Sequence, residues 1–259
     1  MKAKDLKNSI LQLAVEGRLV PQDPNDEPAS ILLDHIRKQR RELVAQGKAK
    51  LPKGGESVIF RGSDGLPYEK RIDKKGRESE PVCIEDEIPF KIPKGWCWAR
   101  LGMLGDWKSG ATPKKSHKEY HENGTVPWLL TGDLNDAHVS IIPHKITELA
   151  LKECSLRLNP VGSILVAMYG ATIGKIGILD TPATTNQACC ACILLEPSLT
   201  DWIFNWLIYF KPSFERLGLG GAQPNISRGI IVSRLIPIPP LAEQRRITAR
   251  VESIFQLLK

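Results

Sequence analysis

The sequence has no run of apolar residues long enough to cross a membrane. A transmembrane helix needs about 20 consecutive apolar residues, whereas the longest candidate here, Trp202 to Phe210, is shorter and contains Asn205. The first residues run directly into an amphipathic pattern and lack the apolar centre of a secretory signal. We therefore expect a cytoplasmic protein with no membrane partner.

Histidine and cysteine occur in patterns that favour neither a metal site nor a disulfide framework. The five His are scattered, and three of the six Cys crowd into Cys189, Cys190 and Cys192. A zinc site would need a second pair of ligands, and a disulfide framework would need wider spacing. Because apolar residues follow at 193–195, we interpret this segment as a buried strand and expect no metal and no cofactor.

Signatures of catalysis are also missing. The sequence contains no His-Glu-x-x-His pattern, no nucleophile elbow and no Asp/Asn-Pro-Pro-aromatic motif of amino-methyltransferases. The segment Gly170–Lys175 ends in Gly-Lys like a phosphate-binding loop, but its glycine spacing is wrong and Ile176 stands where Ser or Thr should follow. We interpret it as a tight turn between two strands that presents Thr172 and Lys175 outward. These motifs therefore supply no recognisable catalytic set.

The composition is that of an ordinary folded protein with a modest basic excess. Its 259 residues are 42% hydrophobic and 25% charged, which suits one large domain or two small ones. Lys and Arg number 36 against 29 Asp and Glu, so the net charge is +7. Such an excess permits nucleic-acid binding but does not by itself indicate it.

Residues 1–47 are predicted to form two helices. An apolar period of three to four residues over 6–14 predicts the first helix, which Gly17 would end. A cluster of Pro and Asx residues then precedes a second helix from Ala29 to Gly47. The apolar stripe of the second helix includes Ile31, Ile36 and Leu43.

Residues 48–94 differ in composition from the helices before them. Lys, Gly, Pro and Glu dominate, with a possible hairpin at 63–65 and another turn at 74–76. We interpret this segment as a linker or arm with little core of its own, and we place a domain boundary in it.

Residues 95–239 are predicted to form one compact domain of mixed strands and helix. Short strand-like runs, each bounded by turn residues, are followed by a strongly apolar helix. These runs lie at 126–130, 163–167, 176–179 and 188–195, and the helix at 199–217. With the flanking helices, the expected fold class is α+β, a globular mixed domain flanked by long helices.

Residues 240–259 are predicted to begin a coiled-coil helix. Ile247, Val251, Ile254 and Leu258 are separated by steps of four, three and four residues, which is the seam of a coiled coil. The pattern continues to the end of the sequence, which suggests an oligomerising helix or a chain taken from a longer one. The second N-terminal helix or a second copy of the protein would cover the seam.

Several segments, taken together and in this order, resemble the specificity subunit of a type I restriction-modification system. Each motif alone is weak, but together they extend over nearly the whole chain. They are Leu6–Ala14 with Gly17–Ala29, Ile92–Trp96 with Trp98, Thr112-Pro113, Trp128 with Thr131–Leu134, Gly170–Lys175, Thr185–Ala188, Gln223–Ser227 and Ile236–Ile247.

The resemblance implies a non-catalytic subunit of a complex that cleaves DNA and methylates adenine. One target recognition domain would read one half of a split sequence in double-stranded DNA. The flanking helices would form a spacer that binds modification subunits, which carry the methyltransferase, and a restriction subunit would complete the complex. Full-length members have two recognition domains, so this chain is either a half-sized subunit that dimerises or the N-terminal half of a longer protein.

The polar and basic residues predict a DNA-facing surface made by four loops, at 108–118, 131–135, 169–175 and 220–227. We expect lysines there to contact phosphates, whereas Thr112, Gln223 and Asn225 are candidates for base edges. The full set is Thr112, Lys114, Lys115, Lys118, Thr131, Asp133, Tyr169, Thr172, Lys175, Gln223, Asn225 and Ser227. From the residues alone, ordinary solvated loops, an adaptor protein with a coiled-coil spacer and an enzyme with an unrecognised site remain alternatives.

Overall fold

The fold was analysed in a computed structural model that describes residues 3–218 and 225–258. The α-helices are α1 (Ala3–Val15), α2 (Ala29–Ala45), α3 (Glu148–Glu153), α4 (Thr200–Gly218), α5 (Arg228–Val232) and α6 (Leu241–Gln256). The strands are β1 (Glu56–Arg61), β2 (Pro67–Ile72), β3 (Val82–Cys83), β4 (Cys97–Arg100), β5 (Gly105–Ser109), β6 (Val126–Leu129), β7 (Ala137–Val139), β8 (Lys145–Ile146), β9 (Ile164–Ala167), β10 (Ile176–Leu179), β11 (Thr184–Thr185), β12 (Cys189–Leu194) and β13 (Leu235–Ile238).

The elements with the strongest local patterns are confirmed. The two predicted N-terminal helices are α1 and α2, and the apolar helix and the C-terminal helix are α4 and α6. The chain leaves α1 through Gly17, whose φ of 69° is unfavourable for residues with a Cβ atom. The four predicted strand runs correspond to β6, β9, β10 and β12, each within two residues of the predicted ends.

Two structural units divide the chain at boundaries that differ from the predicted ones. One unit comprises residues up to Leu104 together with those from Val232, and the other is Gly105–Ile231. The difference arises because β4 and β13 pair with each other, with Ala99 opposite Ile236, and so belong to the first unit. Pairing between residues this far apart in sequence leaves no local signal.

The first unit contains the segment predicted to be an arm, and this segment contributes to a core. Strands β1, β2 and β3 form an antiparallel sheet, and the predicted hairpin lies between β1 and β2. Ile84 packs with Trp98 and Leu235 in a buried cluster. Partly buried residues from the same segment pack against this cluster, namely Ile59, Ile88, Phe90 and Ile92. The expectation that this segment has little core of its own is therefore wrong.

In the first unit, α1 packs against α6. Three of the apolar residues assigned to a partner interface are buried there, at 0–1% exposed: Ile36, Ile247 and Val251. Ile31 is 52% exposed, and the partly exposed members are Leu43, Ile254 and Leu258. The prediction that α2 or a second copy covers the α6 seam is corrected for Ile247 and Val251, which are already buried within the unit, where α1 packs against α6.

The second unit is built on a mixed sheet with the strand order β5-β12-β9-β10-β7. Adjacent strands of this sheet pair in antiparallel orientation, except β7 and β10, which pair in parallel. Cys189, Cys190 and Cys192 are fully buried in β12, as predicted, and burial raises the pKa of the Cys190 thiol to about 12. A smaller sheet has the order β11-β6-β8, and α4 buries Trp202 and Trp206. Nowhere in the described residues is a helix both long and apolar enough to span a bilayer.

Candidate nucleic-acid interface

The strand directions in the second unit bring separate loops to one end of the larger sheet. Ser109 at the end of β5 lies opposite Cys190 near the start of β12, and Cys189 lies opposite Ala167 at the end of β9. The connection from β9 to β10 therefore lies at this end. Because β7 runs parallel to β10, the turn before β7 lies there as well. We call these segments the recognition loops: 110–118, 131–136, 168–175, 185–188 and 225–227.

The loop after β5 carries the exposed cations predicted for the DNA-facing surface. Lys114, Lys115 and Lys118 are exposed and make no ion pair with a carboxylate within the described residues. The loop is held close to the segment before β12, since a Cβ atom on Gly110 would overlap the carbonyl oxygen of Thr185. Only glycine fits where the two segments come this close. The start of the loop that carries the lysines is therefore held against the segment before β12.

Gln187 is a candidate that sequence reasoning did not assign to the interface. Its side chain is exposed, and Oε1 accepts a hydrogen bond from the Thr112 hydroxyl. The neighbouring Asn186 N–H donates to the Leu129 carbonyl at 3.0 Å, which fixes the segment. Gln187 belongs to the motif Thr185–Ala188, so the signal was present. An exposed glutamine amide has the donor and acceptor needed to recognise adenine.

The connection between β9 and β10 is the tight turn predicted from its sequence. The Thr172 hydroxyl donates to the Tyr169 carbonyl oxygen at 2.9 Å. Tyr169 is 40% exposed and forms an isolated antiparallel bridge with Asn225, which brings residues 225–227 to the same end. Lys175 is partly exposed and has no carboxylate partner among the described residues. Two of the predicted loops thus meet here.

Some predicted contact residues are occupied in holding the loops. Thr131 is only 9% exposed, and the Asp133 carboxylate accepts the Leu130 N–H at 2.9 Å. The Ser227 hydroxyl accepts the Ile230 N–H at 3.2 Å, at the start of α5. These hydrogen bonds stabilise turns, and the assignment of Thr131, Asp133 and Ser227 to DNA contact stays a prediction. Gln223 lies outside the described residues.

The far end of the lysine loop is anchored by aromatic and acidic side chains. The His117 and Tyr120 rings stack with centroids 5.0 Å apart. The Tyr120 hydroxyl donates to Glu153 of α3 at 2.7 Å, and this hydrogen bond raises the pKa of Tyr120 to about 12. The three lysines therefore lie between Gly110 and Tyr120, the two positions at which the loop is held.

The charge distribution suits a polyanion, and the described residues offer no cation site of their own. No group of three or more His, Cys, Asp or Glu among them could hold a metal ion. Exposed lysines on loops beside amide and hydroxyl groups can contact phosphates and base edges together.

Comparisons with known proteins match this chain to one family of DNA specificity proteins. A family model described as the type I restriction modification DNA specificity domain matches residues 93–259. The chain is 28% identical over 273 residues to the type I restriction enzyme EcoAI specificity subunit of Escherichia coli, covering 97% of this chain and 39% of that protein. It is 34% identical over 171 residues to the type I restriction enzyme MjaIX specificity subunit of Methanocaldococcus jannaschii, covering 64% of this chain and 39% of that protein.

The chain spans about two fifths of the length of these curated relatives. Two solved structures share its fold. The crystal structure of the HsdS subunit from Thermoanaerobacter tengcongensis has a TM-score of 0.51 and 19% identity, covering 99% of this chain and 49% of that chain. A chain from a structure on complex assembly and conformational transition of the type I R-M system has a TM-score of 0.53 and 22% identity. The match covers 89% of this chain and 50% of that chain.

Proposed function

Because the chain belongs to the type I restriction-modification DNA specificity family, we propose that it supplies DNA sequence specificity to a type I restriction-modification complex. Its second unit reads one half of a bipartite target in double-stranded DNA. The chain itself catalyses nothing, and the cleavage and adenine methylation belong to the restriction and modification subunits that it binds.

The observation that carries this proposal is the convergence of the recognition loops at one end of the larger sheet. Lys114, Lys115 and Lys118 contact phosphates, and Lys175 adds a further cation from the neighbouring loop. Such contacts set position and affinity without selecting sequence. Base edges are selected by Thr112, Gln187 and Asn225, which are exposed on the same loops.

The helices of the first unit serve assembly. Ile31, Ile254 and Leu258 retain exposed apolar surface after the unit has folded. One recognition unit reads only half of a split site, so the functional complex contains two of them, through a second copy of this chain or a second half of a longer one. The modification subunits bind beside the helices.

The test is a selection experiment with the full chain and the modification subunit of the same system. The complex is incubated with a library of duplexes randomised over a central block, and the bound fraction is sequenced. We expect enrichment of one defined half-site, present twice at a fixed spacing. Binding of the modification subunit without enrichment of any sequence would instead support an adaptor role and overturn the proposal.

A further inference from the structure

Asp136 connects two recognition loops to the long helix of the second unit. Its backbone N–H donates to the Ile176 carbonyl oxygen, and its Oδ1 accepts the Ile176 N–H, both at 3.0 Å. Its Oδ2 accepts a hydrogen bond from Lys211 Nζ of α4 at 2.5 Å. One residue at the end of the 131–136 turn therefore fixes both the start of β10 and a side chain of α4.

The lysine partner also contacts the loop that ends at β10. A Cβ atom placed on Gly174 would lie 3.1 Å from the Lys211 Cγ, so the aliphatic stem of Lys211 lies directly against that loop. The side chains of Lys211 and Asp136 are 21% and 33% exposed. Because the pair is partly withdrawn from water, its attraction is screened less than that of an exposed pair.

The position of Asp136 in the backbone restricts which residues can replace it. Its φ is 62°, in the left-handed region that Asn and Asp tolerate better than other residues with a Cβ atom. Asparagine would keep this conformation and could still accept the Ile176 N–H. It would lose the negative charge that neutralises Lys211. The substitution Asp136→Asn therefore separates the ion pair from the backbone geometry.

We propose that Asp136 is a positioning residue for sequence recognition, an inference that rests on the proposed function. It holds the 131–136 turn against the 168–175 loop, and it keeps Lys211 from acting as a free cation beside DNA. A free cation attracts the phosphates of every sequence equally, and loosened loops weaken the contacts to bases. The loosened loops reduce the difference in affinity between the cognate site and random DNA, whereas the free cation raises both affinities to the same extent.

The experiment measures binding of the reconstituted complex to the duplex that wild type enriches and to a random duplex, over a range of salt. For Asp136→Asn we expect the ratio of the two dissociation constants to shrink about fivefold, which corresponds to an ion pair of about 1 kcal/mol. Binding to the random duplex should tighten, and the salt slope should steepen by about one unit. Lys211→Arg should behave like wild type. The double variant D136N/K211M, which has no free cation, should bind the random duplex like wild type.

Asp180→Asn is the matched control. Asp180 follows β10 at the opposite end of the same sheet, where it accepts hydrogen bonds from Ser140 and faces His138. It removes the same charge from the same unit without touching the recognition loops, so it should leave discrimination unchanged. If Asp180→Asn and Asp136→Asn had equal effects, net charge would be the cause and the inference would be wrong.

The remaining outcomes are also decisive. Unchanged discrimination in a folded Asp136→Asn protein overturns the positioning role while leaving the proposed function intact. If wild type enriches no sequence, the proposed function fails and this inference fails with it. Should Asp136→Asn not fold, Lys211→Met keeps the aliphatic stem against Gly174 and tests the same link. It should weaken cognate binding more than random binding, and equal weakening of both would overturn the inference.

Discussion

Arg100 and Glu69 form an ion pair inside the first unit, with Nη2 and Oε2 2.7 Å apart and both side chains 9% exposed. The Ser57 hydroxyl donates to the other carboxylate oxygen at 2.5 Å, and Arg100 also donates to Glu87. A buried charge needs such partners, because removing one leaves the other uncompensated. The pair therefore ties β2, in the segment predicted to be an arm, to β4.

This pair makes the stability of the first unit depend on pH. Burial by itself raises the pKa of Glu69, but hydrogen bonds from Arg100 and Ser57 outweigh it, so the net pKa is lowered from 4.5. Because the folded pKa lies below the unfolded one, the pair stabilises the fold above the unfolded pKa and loses this effect as pH falls through the folded pKa. Glu69→Gln should cost about 1–3 kcal/mol at neutral pH and flatten the acid dependence. Thermal unfolding at neutral and acid pH, with exposed Glu80→Gln as control, measures both.

A second prediction concerns Glu243, which is 1% exposed. It accepts hydrogen bonds from Trp96 Nε1 at 2.8 Å and from Gln22 Nε2 at 2.6 Å, and burial raises its pKa. Trp96→Phe removes one donor from a buried carboxyl group and should lower the free energy of unfolding by about 1–3 kcal/mol beyond the loss of packing. Trp98→Phe, at 7% exposed and in a buried cluster, is the control for packing alone. Equal losses in chemical denaturation would show that the hydrogen bond contributes nothing.

The two central residues of the α6 seam should respond differently to a charge. Val251 is 1% exposed, so Val251→Glu would bury an unpaired carboxylate and should destabilise the first unit by more than about 3 kcal/mol. Ile254 is only partly buried, so Ile254→Glu should cost about 1 kcal/mol or less but weaken association with a second helix. Thermal unfolding separates the two variants, and sedimentation with the modification subunit measures association. A similar melting temperature for both would contradict the burial difference.

Lys115→Ala should weaken binding to every duplex to the same extent. The lysine is exposed on the loop after β5, and a phosphate contact there carries no sequence information. We expect the slope of log affinity against log salt to fall by about one unit. Lys74→Ala removes an equally exposed lysine from a turn of the first unit and serves as control. A selective loss on the cognate duplex would assign Lys115 to base recognition instead.

Asn225→Ala should have the opposite profile. Asn225 is exposed where it bridges to Tyr169, and an asparagine amide recognises adenine through paired hydrogen bonds. We expect a loss of about 1–3 kcal/mol on the cognate duplex and little change on random DNA. The same cost is predicted for Gln223→Ala. Asn8→Ala, an exposed substitution on α1, controls for the loss of a surface amide. If Asn225→Ala weakened both duplexes equally, the division between phosphate and base contacts would be wrong.

Features that depend on neighbouring residues were predictable from the sequence. Helices α1, α2 and α6 follow from an apolar period of three to four residues, α4 follows from its strongly apolar composition, and the turn at 170–175 follows from its glycines. The buried strand around Cys190 was predictable because apolar residues 193–195 follow the cysteines. These patterns involve residues close together in the chain, so they can be recognised in the sequence without knowledge of the fold.

Contacts between residues distant in sequence were not predictable and became visible only in the folded structure. No local pattern pairs β4 with β13, joins Glu69 to Arg100, or shows that Val251 is already covered within its unit. The positioning contact between Asp136 and Lys211 belongs to the same class, since 75 residues separate its partners. Such contacts depend on the order of the strands in the sheets. That order is set by the simultaneous burial of many apolar surfaces. The lysines and amides of the interface could therefore be identified in the sequence, whereas the arrangement of strands and loops that positions them could not.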